Sequence, residues 1–140
     1  MNVKIRLLEN GLMPELKRDG DACFDCHAAI RETINLAPRH RCLINLGFCL
    51  EIPIGYEGII RPRSGLTSKG IDIGIGTIDS NYRGEVKACV INNSSSIFCI
   101  KKEDRICQLA IRKTEDVTFS VCNIMPESNR GEKGFGSTGL

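Results

Sequence analysis

The sequence predicts an all-β sandwich or barrel of short strands, with one short helix after Pro62. Three observations carry this. Apolar residues alternate with polar ones in short runs, the runs are separated by Gly, Pro, Asn and Ser at roughly ten-residue spacing, and no stretch holds a helical period for three turns. The alternating runs are Val3, Ile5, Leu7; Cys42, Ile44, Leu46; Phe48, Leu50, Ile52; and Val86, Ala88, Val90. Each puts every second side chain on one face, as a half-buried strand requires. Further β-like runs lie at 56–61, 97–101, 105–111 and 117–122. The helix is expected around Ser64 to Lys69, ended by Gly70. From Asn123 to Leu140 the periodicity is lost and Gly131, Gly134, Gly136 and Gly139 accumulate. The expected organisation is therefore a single domain, with a β-barrel core over 1–122 and a mobile Gly-rich C-terminal arm over 123–140.

A chain of 140 residues fits one domain with a sizeable core. Its 19 Lys and Arg against 17 Asp and Glu give a net charge of +2. That is no footprint of a nucleic-acid binder, so any basic site must be local. No apolar run reaches the roughly 18 residues of a membrane span. The eight cysteines would form a disulfide framework only in a secreted chain, and the opening MNVKIRLLEN carries no apolar leader region. A reducing, cytoplasmic setting is expected, or a nuclear one if the source is eukaryotic or viral. With aromatics at 5% and no Trp, the core must be built from Ile, Leu, Val and Cys.

Several motifs imitate known sites. Cys23-Phe24-Asp25-Cys26-His27 matches a haem-attachment pattern and half a zinc site, but the second ligand pair is missing and His40 is isolated. Buried, small apolar cysteines are the expected reading. Gly74-Ile75-Gly76-Thr77-Ile78-Asp79 begins like a dinucleotide fingerprint, yet Asp79 stands where the third Gly belongs and no helical pattern follows. Gly131 to Thr138 resembles a P-loop with Ser137 in place of the phosphate-binding Lys.

Three segments remain, and each suits a phosphorylated ligand. Arg63-Ser64-Gly65-Leu66 offers backbone N–H groups, a hydroxyl and a guanidinium to an anion; the same residues also suit a helix cap with a surface ion pair. In the hairpin from Gly74 to Gly84, glycines allow close approach of a flat ligand, and Asp79 and Tyr82 occupy the turn. Asp79 is there either as a turn-former or as a general base. Gln108 lies in a predicted strand, where it is either a satisfied core amide or a ligand contact.

Five ordered segments resemble the five motifs of the trimeric dUTPases: Ala22 to Ala28, Pro62 to Lys69, Gly76 to Glu85, Asp104 to Leu109, and Arg130 to Gly139. The resemblance implies a jelly-roll β-barrel, a homotrimer with active sites at subunit interfaces, and Mg²⁺-dependent hydrolysis of dUTP to dUMP and pyrophosphate. That reaction limits uracil incorporation into DNA and supplies dUMP for dTTP synthesis. It further implies that Gly76, Thr77 and Ile78 line the uracil hairpin, Tyr82 packs on the deoxyribose, and Lys87 contributes through its backbone. Asp79 would activate water for attack on the α-phosphorus, while Arg63, Ser64, Gly65 and Gln108 hold phosphates. Asp25 would help place the metal's water shell without ligating it directly, the metal itself being held mainly by substrate phosphates. Arg130, Phe135, Gly136, Ser137 and Thr138 would close over the bound nucleotide.

Cys23, Cys26 and Asn81 depart from the family pattern, which usually has Gly, Leu and an acidic residue there. A dCTP deaminase-like enzyme of the same fold and a catalytically inactive nucleotide-sensing module are the alternatives. No direct nucleic-acid binding and no membrane partner are expected.

Overall fold

The computed structural model describes residues 1–132 and Gly134. Among them are eleven strands and one helix: β1 (Lys4–Leu7), β2 (Phe24–His27), β3 (Ile34–Leu36), β4 (Arg41–Asn45), β5 (Phe48–Glu51), β6 (Tyr56–Arg61), α1 (Ser64–Thr67), β7 (Ile71–Gly74), β8 (Gly76–Ile78), β9 (Lys87–Asn92), β10 (Phe98–Ile100) and β11 (Arg105–Lys113). Every pairing is antiparallel. A four-stranded sheet runs β2-β11-β6-β8 and a three-stranded one β4-β9-β7, with the pairs β1-β5 and β10-β3 beside them. This is the expected jelly-roll β-barrel with one short helix.

Alternation decides which side chains face inward. In β4 and β9, Ile44, Ala88 and Val90 are fully buried while Leu43 and Lys87 point outward. Together with Leu46, Phe48, Ile52, Ile60, Ile100 and Ile106 they form one apolar cluster drawn from all the sheets. Each Ile, Leu, Val or Phe among them, fully buried, contributes about 1.5–3 kcal/mol. The helix is the single turn expected after Pro62. It is over by Thr67, and Gly70 at φ +79° turns the chain into β7, a conformation glycine adopts without a Cβ penalty.

Two expectations are corrected. The run 117–122 forms no strand: Val117, Phe119 and Val121 are 65%, 97% and 100% exposed. Alternation gives strand character, but a strand also needs a partner ladder and a face to bury, and this chain alone supplies neither to that segment. The cysteines are also not uniformly core filler. Cys26, Cys49 and Cys107 are buried, whereas Cys99 and Cys122 are exposed. The short strands β2 and β3 escape the alternation pattern because they are only three or four residues long.

Candidate active site

Between Arg105 and Cys107 the pairing of β11 with β2 shifts register, so that Arg105 lies opposite His27, Cys107 opposite Cys26 and Gln108 opposite Asp25. This is a β-bulge, in which one extra residue re-aims the side chains on either side. Asp25 is buried, at 5% exposure. A carboxylate so far from water needs charged or hydrogen-bonding partners, and three converge on it. Gln108 Nε2 donates to Oδ1 at 3.1 Å, Arg105 Nη1 to Oδ2 at 3.2 Å, and Arg63 Nε lies 3.3 Å from Oδ1. Arg63 Nη1 also donates to the Arg105 carbonyl at 2.7 Å.

These residues line a cleft of about 540 Å³, together with Lys17, Arg18, Asp21, Ala22, Cys23 and Ser64. Arg63 occupies the N-cap position of α1 with an extended backbone and no side-chain cap. Its side chain reaches Asp25 at the wall of the cleft. Gln108 is half-buried at the cleft, and its amide donates to the same carboxylate. Ser64 and Gly65 open α1 beside them. A larger depression of about 650 Å³, lined in part by Leu8, Arg31, Leu43 and Glu85, contains none of the expected site residues.

The hairpin residues lie elsewhere. Gly76, Thr77 and Ile78 form β8, with Gly76 opposite Ile60. Ile78 turns its side chain into the core at 5% exposure, so only its backbone is left for a ligand. The following turn is closed by Tyr82 N–H donating to the Asp79 carbonyl at 3.0 Å, and Arg83 Nη1 braces it by donating to the Ser80 and Tyr82 carbonyls at 2.7 and 2.8 Å. Asp79 is exposed. Tyr82 folds back so that its hydroxyl donates to the Glu85 carbonyl at 3.0 Å. A Cβ on Gly84 would stand 2.3 Å from that hydroxyl, so the ring's position depends on glycine there. Lys87 opens β9, exposed and opposite Asn45.

The structure thus joins Asp25, Arg63, Ser64 and Gln108 but leaves Asp79 apart. β2 and β8 are the two edges of the four-stranded sheet, and three strand spacings separate them by about 14 Å. Of the expected arm residues, Arg130 is exposed, while Phe135, Gly136, Ser137 and Thr138 lie outside the described residues. Sequence reasoning missed Lys17, Arg18 and Arg105 as cleft residues. The pair of consecutive apolar residues Ile106 and Cys107, both fully buried, is the trace of the bulge that brings Arg105 in.

Local electrostatics separate the cleft from its surroundings. Burial holds His27 below its ordinary value of 6.5, despite the nearby carboxylates of Glu15 and Asp25. A hydrogen bond with Cys26, together with burial, pushes the Cys107 thiol far up, which makes it unreactive. Among the described residues no three His, Cys, Asp or Glu side chains converge into a metal site.

The family model for dUTPase matches residues 9–139. Deoxyuridine 5'-triphosphate nucleotidohydrolase from Finegoldia magna is 42% identical over 142 residues, covering 99% of both chains. The enzyme of that name from Helicobacter pylori is 38% identical over 144 residues, covering 100% of this chain and 98% of its own. Among solved structures, a mutant dUTPase of Staphylococcus bacteriophage 80alpha with dUpNHpp superposes with a TM-score of 0.90 at 28% identity, covering 99% of each chain. A mutant dUTPase from phage phi11 of S. aureus, solved with a structural Mg(II) ion, superposes at 0.79 with 27% identity, over 89% of this chain and 98% of its own.

Proposed function

The chain belongs to the dUTPase family, and on that premise we propose that it hydrolyses dUTP to dUMP and pyrophosphate in an oligomer whose sites are shared between copies, as in the trimer that the resemblance implies. The observation that carries the reading is the cleft where Arg63, Arg105 and Gln108 converge on one buried carboxylate. Cationic donors preorganised in this way suit a phosphate chain.

In this reading Asp79 of one copy takes a proton from water and orients it for in-line attack on the α-phosphorus bound in the cleft of another. Arg63, Ser64 and Gln108 hold the phosphates. The backbone of Gly76 to Ile78 receives uracil, and Tyr82 fills the space that a 2′-hydroxyl would need. Val117, Phe119 and Val121, exposed on the single chain, lead the arm onto a neighbour, where Arg130 to Thr138 close over the nucleotide and exclude water.

Mg²⁺ fits this arrangement when held mainly by substrate phosphates, because three of the roughly four acceptor sites of Asp25 are already engaged, leaving one for a metal-bound water, and the described residues form no cage of their own. When bound it would neutralise phosphate charge, with Asp25 holding its water shell.

The test is pyrophosphate release measured across dUTP, dCTP, dTTP and UTP. Release from dUTP well above the others supports the proposal. Ammonia from dCTP would establish the deaminase chemistry instead, and no turnover of any of the four would leave a nucleotide-sensing module.

A further inference from the structure

Resting on the reading of the cleft as a phosphate-chain site, we infer that Arg105 is a further substrate-binding residue that contacts the phosphates alongside Arg63. Arg105 and Gln108 are three apart in β11, and in a regular strand residues at that spacing face opposite sides of the sheet. Here they donate to the two oxygens of one carboxylate, Arg105 Nη1 to Oδ2 and Gln108 Nε2 to Oδ1 of Asp25. The register shift between Arg105 and Cys107 makes this possible, at the cost of burying Ile106 and Cys107 in succession. The bulge is thus what aims Arg105 into the cleft.

Donor accounting points to a ligand. A guanidinium carries five N–H donors, and Asp25 engages Arg105 through Nη1 alone. The side chain remains 44% exposed at the cleft that it lines. Asp25 acts as a buttress: it fixes the orientation of the guanidinium and leaves most of the donor fork to solvent or to an anion. The Arg105 carbonyl meanwhile accepts from Arg63 Nη1, so the two arginines are held as a unit.

Charge accounting agrees. Lys17 at the cleft is paired with Glu15, which leaves Arg18, Arg63 and Arg105 against the carboxylates of Asp21 and Asp25. Asp25 is shared by two arginines, and one oxygen of Asp21 is taken by the Arg18 backbone N–H at 2.9 Å. One positive charge is left over for an anion, and a planar fork suits phosphate oxygens better than a point charge would.

The experiment titrates wild type, Arg105→Gln and Arg105→Lys with inorganic pyrophosphate by calorimetry, alongside dUTP kinetics, deoxyuridine inhibition and thermal unfolding. Gln can still donate to Asp25, so a purely structural buttress would survive in that variant. The expected result is pyrophosphate affinity weakened about tenfold or more in Arg105→Gln, with a matching rise in KM and a smaller change in kcat. Deoxyuridine inhibition stays at the wild-type level, and Arg105→Lys recovers part of the loss. Folded Arg105→Gln with wild-type pyrophosphate affinity and KM overturns the inference while leaving the dUTPase reading intact. Wild-type protein that neither binds pyrophosphate nor turns over dUTP overturns both. If Arg105→Gln fails to fold, Arg105→Lys decides: unchanged pyrophosphate affinity and KM in that variant contradict a role for the planar fork.

Discussion

Asp25 and Asp79 stand at opposite edges of one four-stranded sheet, Asp25 in β2 and Asp79 just beyond β8. Asp25 gathers the cationic donors of the cleft, whereas Asp79 sits exposed at the tip of a braced turn. About 14 Å across the sheet lies between these edges, and this separation is the reason the proposed site draws its base and its phosphate cleft from different copies.

If Asp79 is the general base, Asp79→Asn keeps the oligomer and dUTP binding but lowers kcat by at least about 10²-fold, the low end for loss of a general base. Its carbonyl, which closes the turn with Tyr82 N–H, is untouched by the substitution. Near-normal turnover would remove Asp79 from the mechanism.

Tyr82 owes its position to Gly84. Gly84→Ala places a methyl 2.3 Å from where the hydroxyl lies, and the ring must move. Selectivity for dUTP over UTP is expected to fall several-fold in Gly84→Ala and further in Tyr82→Ala, with little change in the unfolding midpoint. Unchanged selectivity in both variants would contradict the sugar-packing role.

Truncation after Asn129 removes the segment assigned to closure. Of the residues removed, Arg130, Gly131, Glu132 and Gly134 are described, and all four are exposed and lie outside every strand, so the thermal midpoint is expected to stay near that of the full chain. Hydrolysis is expected to fall by on the order of 10²-fold, through lost alignment and water exclusion. A large loss of stability with full activity would reverse the assignment.

His27 predicts a pH effect on stability. Burial depresses its folded pKa below the ordinary 6.5, with Glu15, Lys17, Asp25 and Arg105 as its charged neighbours. The unfolded chain therefore binds the proton more readily. Its contribution is fully present above pH 6.5 and is lost as the pH falls through the folded value. The unfolding midpoint is expected to drop on acidification below that point, and His27→Gln to flatten the component. Identical pH profiles for the two proteins would count against it.

Much of the barrel was legible in the sequence because alternation reports directly on burial, as Ile44, Ala88 and Val90 show. The same signal misled at Val117, Phe119 and Val121, since periodicity describes a strand's faces and says nothing of whether the chain itself supplies the partner. Of the candidate site, Asp25, Arg63, Ser64 and Gln108 were named and do meet. Arg105 was not, because its odd spacing from Gln108 places it on the wrong face unless a bulge intervenes. A bulge is a property of the paired strands, invisible in either one alone.

The shared site is tested most directly by mixing two inactive variants, Asp79→Asn and Arg63→Ala, in co-refolded oligomers and measuring pyrophosphate release from dUTP. Each mixed assembly can pair an intact Asp79 from one copy with an intact cleft from another, so about a quarter of the sites in an equal mixture regain activity. The account predicts that recovery, absent from either variant alone. Mixed oligomers as inactive as their parents would contradict it, placing both residues in one copy's site or Asp79 outside the chemistry.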